Sequence, residues 1–381
     1  MGEDGGMSAK RYLAPWGRAA AAARALAAAG GGGGGAPPDA EALAALEGRA
    51  AIYHCVSRAV WREMAFGAAE KERFVRSLRK WEAFSRVRVL TYCVMGNHFH
   101  VLVEVPERPE KDPSDGELLE HLGLIYGAKK LAEIRWELEQ YRGQGNHAAA
   151  EALRERFLRR MWSLSVFMKA LKQEFTVWWN KRHGKEGNLW QDKFKSVLVE
   201  EGHAARVVAG YIDLNPVRAG MVGEAGAYRW SGWGEAVAGK RRACEGIAAV
   251  MLERELGRSN APVAAAAVAD RREALAAYGA LLAEDARKRG GGAGDRERAT
   301  GEATSGQGGR GGQRLSEEEL LGRRVRYFVD GMVVGSAGFV DGVFALTRGW
   351  FGERRRSGAR RLAGAETPLR TMRALRVKPL G

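Results

Sequence analysis

The chain has 381 residues, a formal net charge of +15 and a pI near 9.9. That balance favours a polyanionic partner, because each phosphate neutralised by Lys or Arg releases condensed counterions. The length suits two domains, or one domain with large additions. No apolar run reaches the roughly 18–20 residues that span a bilayer, so no membrane partner is expected.

Residues 1–48 are of low complexity, with six consecutive glycines at 30–35 and then Pro37-Pro38. They carry too little apolar surface to offset chain entropy and are expected to be disordered. They also lack the Leu, Ile or Val core of a signal peptide. Order begins near Ala51. Residues 51–56 read as a strand, and residues 68–86 as a helix with Phe74, Leu78, Trp81 and Phe84 at helical spacing. Two further strands, 87–94 and 98–105, flank the turn signal Gly96-Asn97 and make an antiparallel hairpin.

Residues 107–160 look like a polar helical insertion, opened by a capping box at Ser114–Glu117 and broken near Gly143. Over 161–181 the pattern sharpens. Leu164, Phe167, Leu171, Phe175 and Trp178 form an apolar stripe, with Lys169, Lys172, Lys181 and Arg182 elsewhere. A fourth strand at 194–200 and a helix at 203–214, stopped by Pro216 and Gly220, complete the series.

The order strand–helix–strand–strand–helix–strand–helix predicts an α+β, ferredoxin-like split βαβ fold. It implies a four-stranded antiparallel sheet and one added helix, within a domain over 49–235. Ala-rich helices follow over 236–287 and a flexible Gly-rich linker over 288–314. Residues 315–381, with a capping box at Ser316–Glu319 and the run Arg354-Arg355-Arg356, form a small basic segment that is a candidate DNA-binding module or a small interaction domain. Cys55, Cys93 and Cys244 fit neither zinc nor disulfide spacing and read as reduced thiols in a cytoplasmic protein.

His98 and His100 are two apart on a strand, so both point to one face while Phe99 points to the other. Two neutral imidazoles make a half-site for a divalent metal; alone they read equally as exposed strand histidines. Tyr211 and Asn215 lie one helical turn apart. A phenol is a potential nucleophile, and an amide oxygen a fair third ligand for Mg²⁺ or Mn²⁺. Tyrosine on an apolar helix face is otherwise a core residue, and Asn before Pro an ordinary helix terminator. Taken together, the four residues describe metal-assisted attack of Tyr211 on a phosphate. There is no Walker-type glycine loop, in keeping with ATP independence. The segment Gly187-Asn188-Leu189-Trp190-Gln191-Asp192-Lys193-Phe194 combines a stacking aromatic, an amide and cations, as single-strand binding needs. Trp190, Gln191, Lys193, Lys172 and Arg218 are the candidate DNA contacts, with Trp190 and Phe194 equally readable as core.

The stretch from Tyr92 to Val103, with its His98-Phe99-His100, resembles the histidine–hydrophobe–histidine motif of single-strand DNA transposases with one catalytic tyrosine. Residues 187–194, the run Tyr211-Ile212-Asp213-Leu214-Asn215-Pro216-Val217-Arg218-Ala219-Gly220 and the stretch Tyr228–Trp233 resemble the same family in the same order. The likeness is strongest to its REP-associated tyrosine transposases, bacterial proteins that act on palindromic repeat hairpins. It covers about residues 50–235. It implies a ferredoxin-like fold, Tyr211 as nucleophile forming a 5′-phosphotyrosine, and a divalent metal, Mg²⁺ or Mn²⁺, on His98, His100 and Asn215. It also implies single-stranded or hairpin DNA as partner and a place at the bacterial nucleoid. Monomer and homodimer both stay open. So do two other functions: a non-catalytic DNA-binding regulator on the same fold, and an RNA phosphodiesterase using the two histidines as acid and base.

Overall fold

The computed structural model describes residues 50–60, 65–252, 268–290 and 314–375. The N-terminal tract expected to be disordered lies outside them, as does nearly all of the expected linker.

β1 (Ala51–Arg58) leads into α1 (Ala68–Ser85), then β2 (Arg88–Val94) and β3 (His98–Val105). β1 pairs antiparallel with β3, and β3 with β2. The insertion folds as α2 (Asp115–Leu122), α3 (Ala128–Gly143) and α4 (His147–Leu158), with the expected capping box at Ser114 and Glu117. Read in sequence as a polar insertion, it contributes to the core. Leu118, Leu122, Ile134, Leu138, Leu153 and Phe157 are buried in the same core as Phe74 and Phe99. Their spacing of four residues gives each polar helix one apolar edge.

α5 (Leu164–His183) packs beside α1, then β4 (Lys195–Val199) joins the free edge of β1. The order β2-β3-β1-β4 is that of the split βαβ sheet. α1 and α5 share one face, where Phe74 packs against Phe99 and Phe175. Between the two helices Glu174 accepts from Arg73, Ser77, Lys80 and Trp81.

The other face is covered by α6 (His203–Asp213), the one-turn α7 (Asn215–Arg218), α8 (Gly232–Val237) and α9 (Arg241–Met251). Gly246 lets α9 approach β2 closely, since a Cβ there would lie 2.5 Å from the Leu90 carbonyl oxygen. The buried Asp213 carboxylate accepts from Thr91, the Trp233 N–H and Tyr278 of α10 (Val268–Gly290), tying four segments together.

The C-terminal residues correct the sequence reading. They were expected as a small separate segment, yet they extend the sheet. β5 (Leu315–Ser316) and α11 (Glu317–Leu321) lead to α12 (Tyr327–Asp330), β6 (Val333–Gly335) and α13 (Ala337–Leu346). Three two-residue strands follow: β7 (Arg360–Arg361), β8 (Ala365–Glu366) and β9 (Arg370–Thr371). β6 runs parallel to β4, and β9 and β7 add antiparallel beyond it, so among the described residues the sheet has seven strands, not four.

Candidate active site

β3 is pinned on both sides, and that fixes which way its side chains point. His98 lies opposite Arg58 of β1, and His100 lies between Val56 of β1 and Cys93 of β2. Phe99 turns into the α1–α5 core, so the two histidines face α6. Their rings stand 5.1 Å apart, nearly perpendicular.

α6 crosses that face and brings Tyr211 over it. The Tyr211 ring lies 6.2 Å, edge-on, from His100 and from a third histidine, His54. His54 comes from β1 and stacks on His100 at 5.1 Å. Its Nε2 lies 2.9 Å from His100 Nδ1, and its Nδ1 lies 2.6 Å from the Phe328 carbonyl oxygen. His98 Nδ1 lies 2.8 Å from Asn97 Oδ1.

All three imidazoles are held neutral. Burial, opposed by the Phe328 hydrogen bond and helped by nearby Arg218, brings His54 down to about 4. Burial pushes His98 down to about 3, with Arg58 and Arg324 acting in the same direction. His100 is also well below its usual range, through burial and then the neighbouring histidines and arginines. Neutral imidazoles are the form a metal requires. Among the described residues no three His, Cys, Asp or Glu side chains form a metal-holding cluster. A metal on the histidine pair would need further donors of another type.

Asn215 opens α7, one turn beyond Tyr211. Its amide nitrogen donates to the Tyr211 and Ile212 carbonyls, which leaves Oδ1 as the atom it would offer a cation.

Tyr211 is only 4% exposed. The Phe328 ring packs against it at 5.1 Å, and the Arg218 guanidinium lies 4.2 Å above its ring centre. Burial raises the phenol above its usual range, while Arg218, Arg324 and a hydrogen bond from the Val325 backbone pull it back in part. Arg218, expected to contact DNA, is instead built into the site. It donates to the Tyr211 and Leu321 carbonyls, clamping α6 to α11.

The 187–194 segment joins the same end of the sheet from the opposite face. The Gln191 N–H donates to Arg58, the strand partner of His98. Trp190, readable in sequence as a base-stacking residue or as core, is 3% exposed and sits among Phe66, Phe74, Phe99 and Phe175. Its Nε1 donates to Thr176. It is core. Lys172, expected to contact DNA, is buried under this segment and donates to the Asp192 carbonyl. Gln191 and Lys193 remain exposed. Beside them runs a groove of about 560 Å³ between α5 and the segment, lined by Lys169, Thr176, Asn188 and Lys193 among others.

Sequence reasoning missed His54 and the C-terminal stretch 324–328. A histidine inside an apolar strand was a signal that a buried partner existed. Its partner is Phe328, 274 residues away, which no local pattern could name.

Neither a family model nor a curated protein matches the chain. Among solved structures, one described as a REP-associated tyrosine transposase bound to a REP hairpin is similar, at 14% sequence identity and a TM-score of 0.32. The similarity covers 50% of this chain and 81% of that one.

Proposed function

We propose that the protein is a metal-dependent single-stranded DNA endonuclease and strand transferase of the transposase class, acting on hairpin-containing repeat DNA. The observation that supports the reading is the approach of Tyr211, from α6, to His100, which stands beside His98 on β3.

The donor chemistry fits a divalent cation. Two uncharged imidazoles and one amide oxygen leave coordination positions for phosphate oxygens. Held by His98, His100 and Asn215, Mg²⁺ or Mn²⁺ would polarise the scissile phosphate and offset charge developing on it. Tyr211 Oη then forms a bond to phosphorus as the bond to the 3′ oxygen breaks. The phenol gives up its proton, and the departing 3′ oxygen takes one up to become a free hydroxyl. The product is a 5′-phosphotyrosine, whose ester conserves the energy for the reverse, joining step. Arg218 stabilises the phenolate form of the nucleophile through its position over the ring.

A phenol covered by residues 324–328 does not reach a phosphate, so DNA must displace that stretch before attack. The same burial favours a second reading, a non-catalytic DNA-binding protein on this fold. One assay separates the two. With single-stranded hairpin DNA and Mn²⁺, the wild type should form a covalent protein–DNA adduct stable to denaturation, and Tyr211→Phe should form none. Equal behaviour of the two proteins would leave only the binding reading.

A further inference from the structure

The hydrogen bonds around the histidines fix more than their position. A carbonyl oxygen can only accept, so the Phe328 carbonyl requires the proton of His54 to be on Nδ1. A neutral imidazole carries one ring proton, so His54 Nε2 is then an acceptor. Its neighbour 2.9 Å away, His100 Nδ1, must be the donor. That places the His100 proton on Nδ1 and the lone pair on Nε2. Both rings are buried, 0% and 4% exposed, and neither meets a carboxylate that would offset a charge, so each is taken as neutral. At His98 the same result is reached locally, because Asn97 Oδ1 takes the Nδ1 proton.

Both His54 nitrogens are therefore spent, one on the C-terminal backbone and one on His100. It is no metal ligand itself. We propose that His54 is a positioning residue: anchored to the Phe328 carbonyl, it holds His100 in the one tautomer whose Nε2 can donate to a metal. The proposal rests on the metal reading above. It gives the C-terminal segment a part in the site, since the chain of three groups begins on α12. Histidine ligands elsewhere are oriented by a hydrogen bond to the second ring nitrogen, and losing that partner typically weakens metal binding by about 10–100-fold.

The test reads the tautomer directly. In metal-free protein labelled with ¹⁵N-histidine, long-range proton–nitrogen spectra should show His54 and His100 both protonated at Nδ1. In His54→Phe, which keeps a ring but offers no acceptor, His100 should move toward the Nε2-protonated form, and the Mn²⁺ Kd measured by titration calorimetry should rise about 10–100-fold. In His54→Gln, whose side-chain carbonyl can accept the His100 proton, tautomer and Kd should stay close to wild type. Should His54→Phe fail to fold by circular dichroism, the wild-type spectrum and His54→Gln still decide. An Nε2-protonated His100 in the wild type, or a His54→Phe protein with unchanged tautomer and Kd, overturns the proposal. A wild type that binds Mn²⁺ no better than His98→Ala, with the tautomers as expected, overturns the metal reading instead.

Discussion

Trp190 and Lys193 stand three positions apart, and the fold gives them opposite surroundings. The indole is enclosed by four aromatic rings and donates to Thr176, while the ammonium is exposed beside the α5 groove. Their substitutions should therefore separate stability from binding. Trp190→Phe loses a buried hydrogen bond and part of the ring volume, and should lower unfolding free energy by about 1–2 kcal/mol in urea titrations. It should leave DNA affinity unchanged. Lys193→Ala should stay within about 0.5 kcal/mol of wild-type stability. If Lys193 meets a phosphate, its loss should weaken hairpin DNA binding and reduce the salt slope by about 1. Fluorescence anisotropy across a salt series checks both, and weaker binding by Trp190→Phe at unchanged stability would contradict its place in the core. The histidines and Tyr211 were legible because strand and helix periods place side chains on faces without knowledge of the fold. Trp190, Lys172 and Arg218 were not. A residue type shows what a side chain can do, and only the packing shows whether it is already engaged.

At the scale of elements, the β2–β3 hairpin carries a titration that the site does not use. Glu104 lies across from Arg88 at the far end of β3 from His98, and the two form an ion pair at 2.9 Å. Burial pushes the carboxyl up to about 7, with Arg88 opposing and Glu201 adding to the rise. The folded value is above the ordinary one near 4.5, so the unfolded chain loses this proton first as pH rises. The contribution of Glu104 is thus fully present below about pH 4.5 and is lost as pH rises through about 7. Glu104→Gln should abolish that part of the decline, read from urea midpoints between pH 4.5 and 8; an identical slope in the two proteins would refute it. β1, β3, α5 and α6 were legible to within a few residues, because each carries a long periodic pattern between turn signals. The edges of the sheet were not. β6, β7 and β9 are two or three residues long, too short for any alternation to register. They exist as strands because β4 offers β6 unpaired backbone groups. The insertion helices were hidden in a different way, since their single apolar edges lie within largely polar sequence.

Across the whole molecule, the segment read as a separate module turns out to close the site. β6 docks on β4, with the Leu198 and Glu200 N–H groups donating to Met332 and Val334. The strand is held by Val333 and Val334, both fully buried on opposite faces. That docking brings Phe328 onto Tyr211, the Phe328 carbonyl onto His54, and Leu321 within reach of Arg218. A Gly-rich stretch before residue 315 reads as a boundary in sequence, but a boundary in composition does not prevent strand pairing across it. The accessibility of Tyr211 is therefore set by a contact more than a hundred residues distant in the chain (from 211 to 328). In the free protein, nitration of Tyr211 by tetranitromethane, followed by peptide mass spectrometry, should be much slower than nitration of the half-buried Tyr141 on α3. Val333→Asp buries a charge in the α1–α5 core and should detach β6, because an unpaired carboxylate there costs several kcal/mol. In a variant that keeps its helix and sheet content by circular dichroism, Tyr211 should nitrate at a rate approaching that of Tyr141. Adding hairpin DNA to the wild type should have the same unmasking effect wherever the strand reaches the site without shielding the phenol from reagent. Rapid nitration of Tyr211 in the free wild type would show that residues 324–328 do not cover it, and the displacement step required before attack would then fall away.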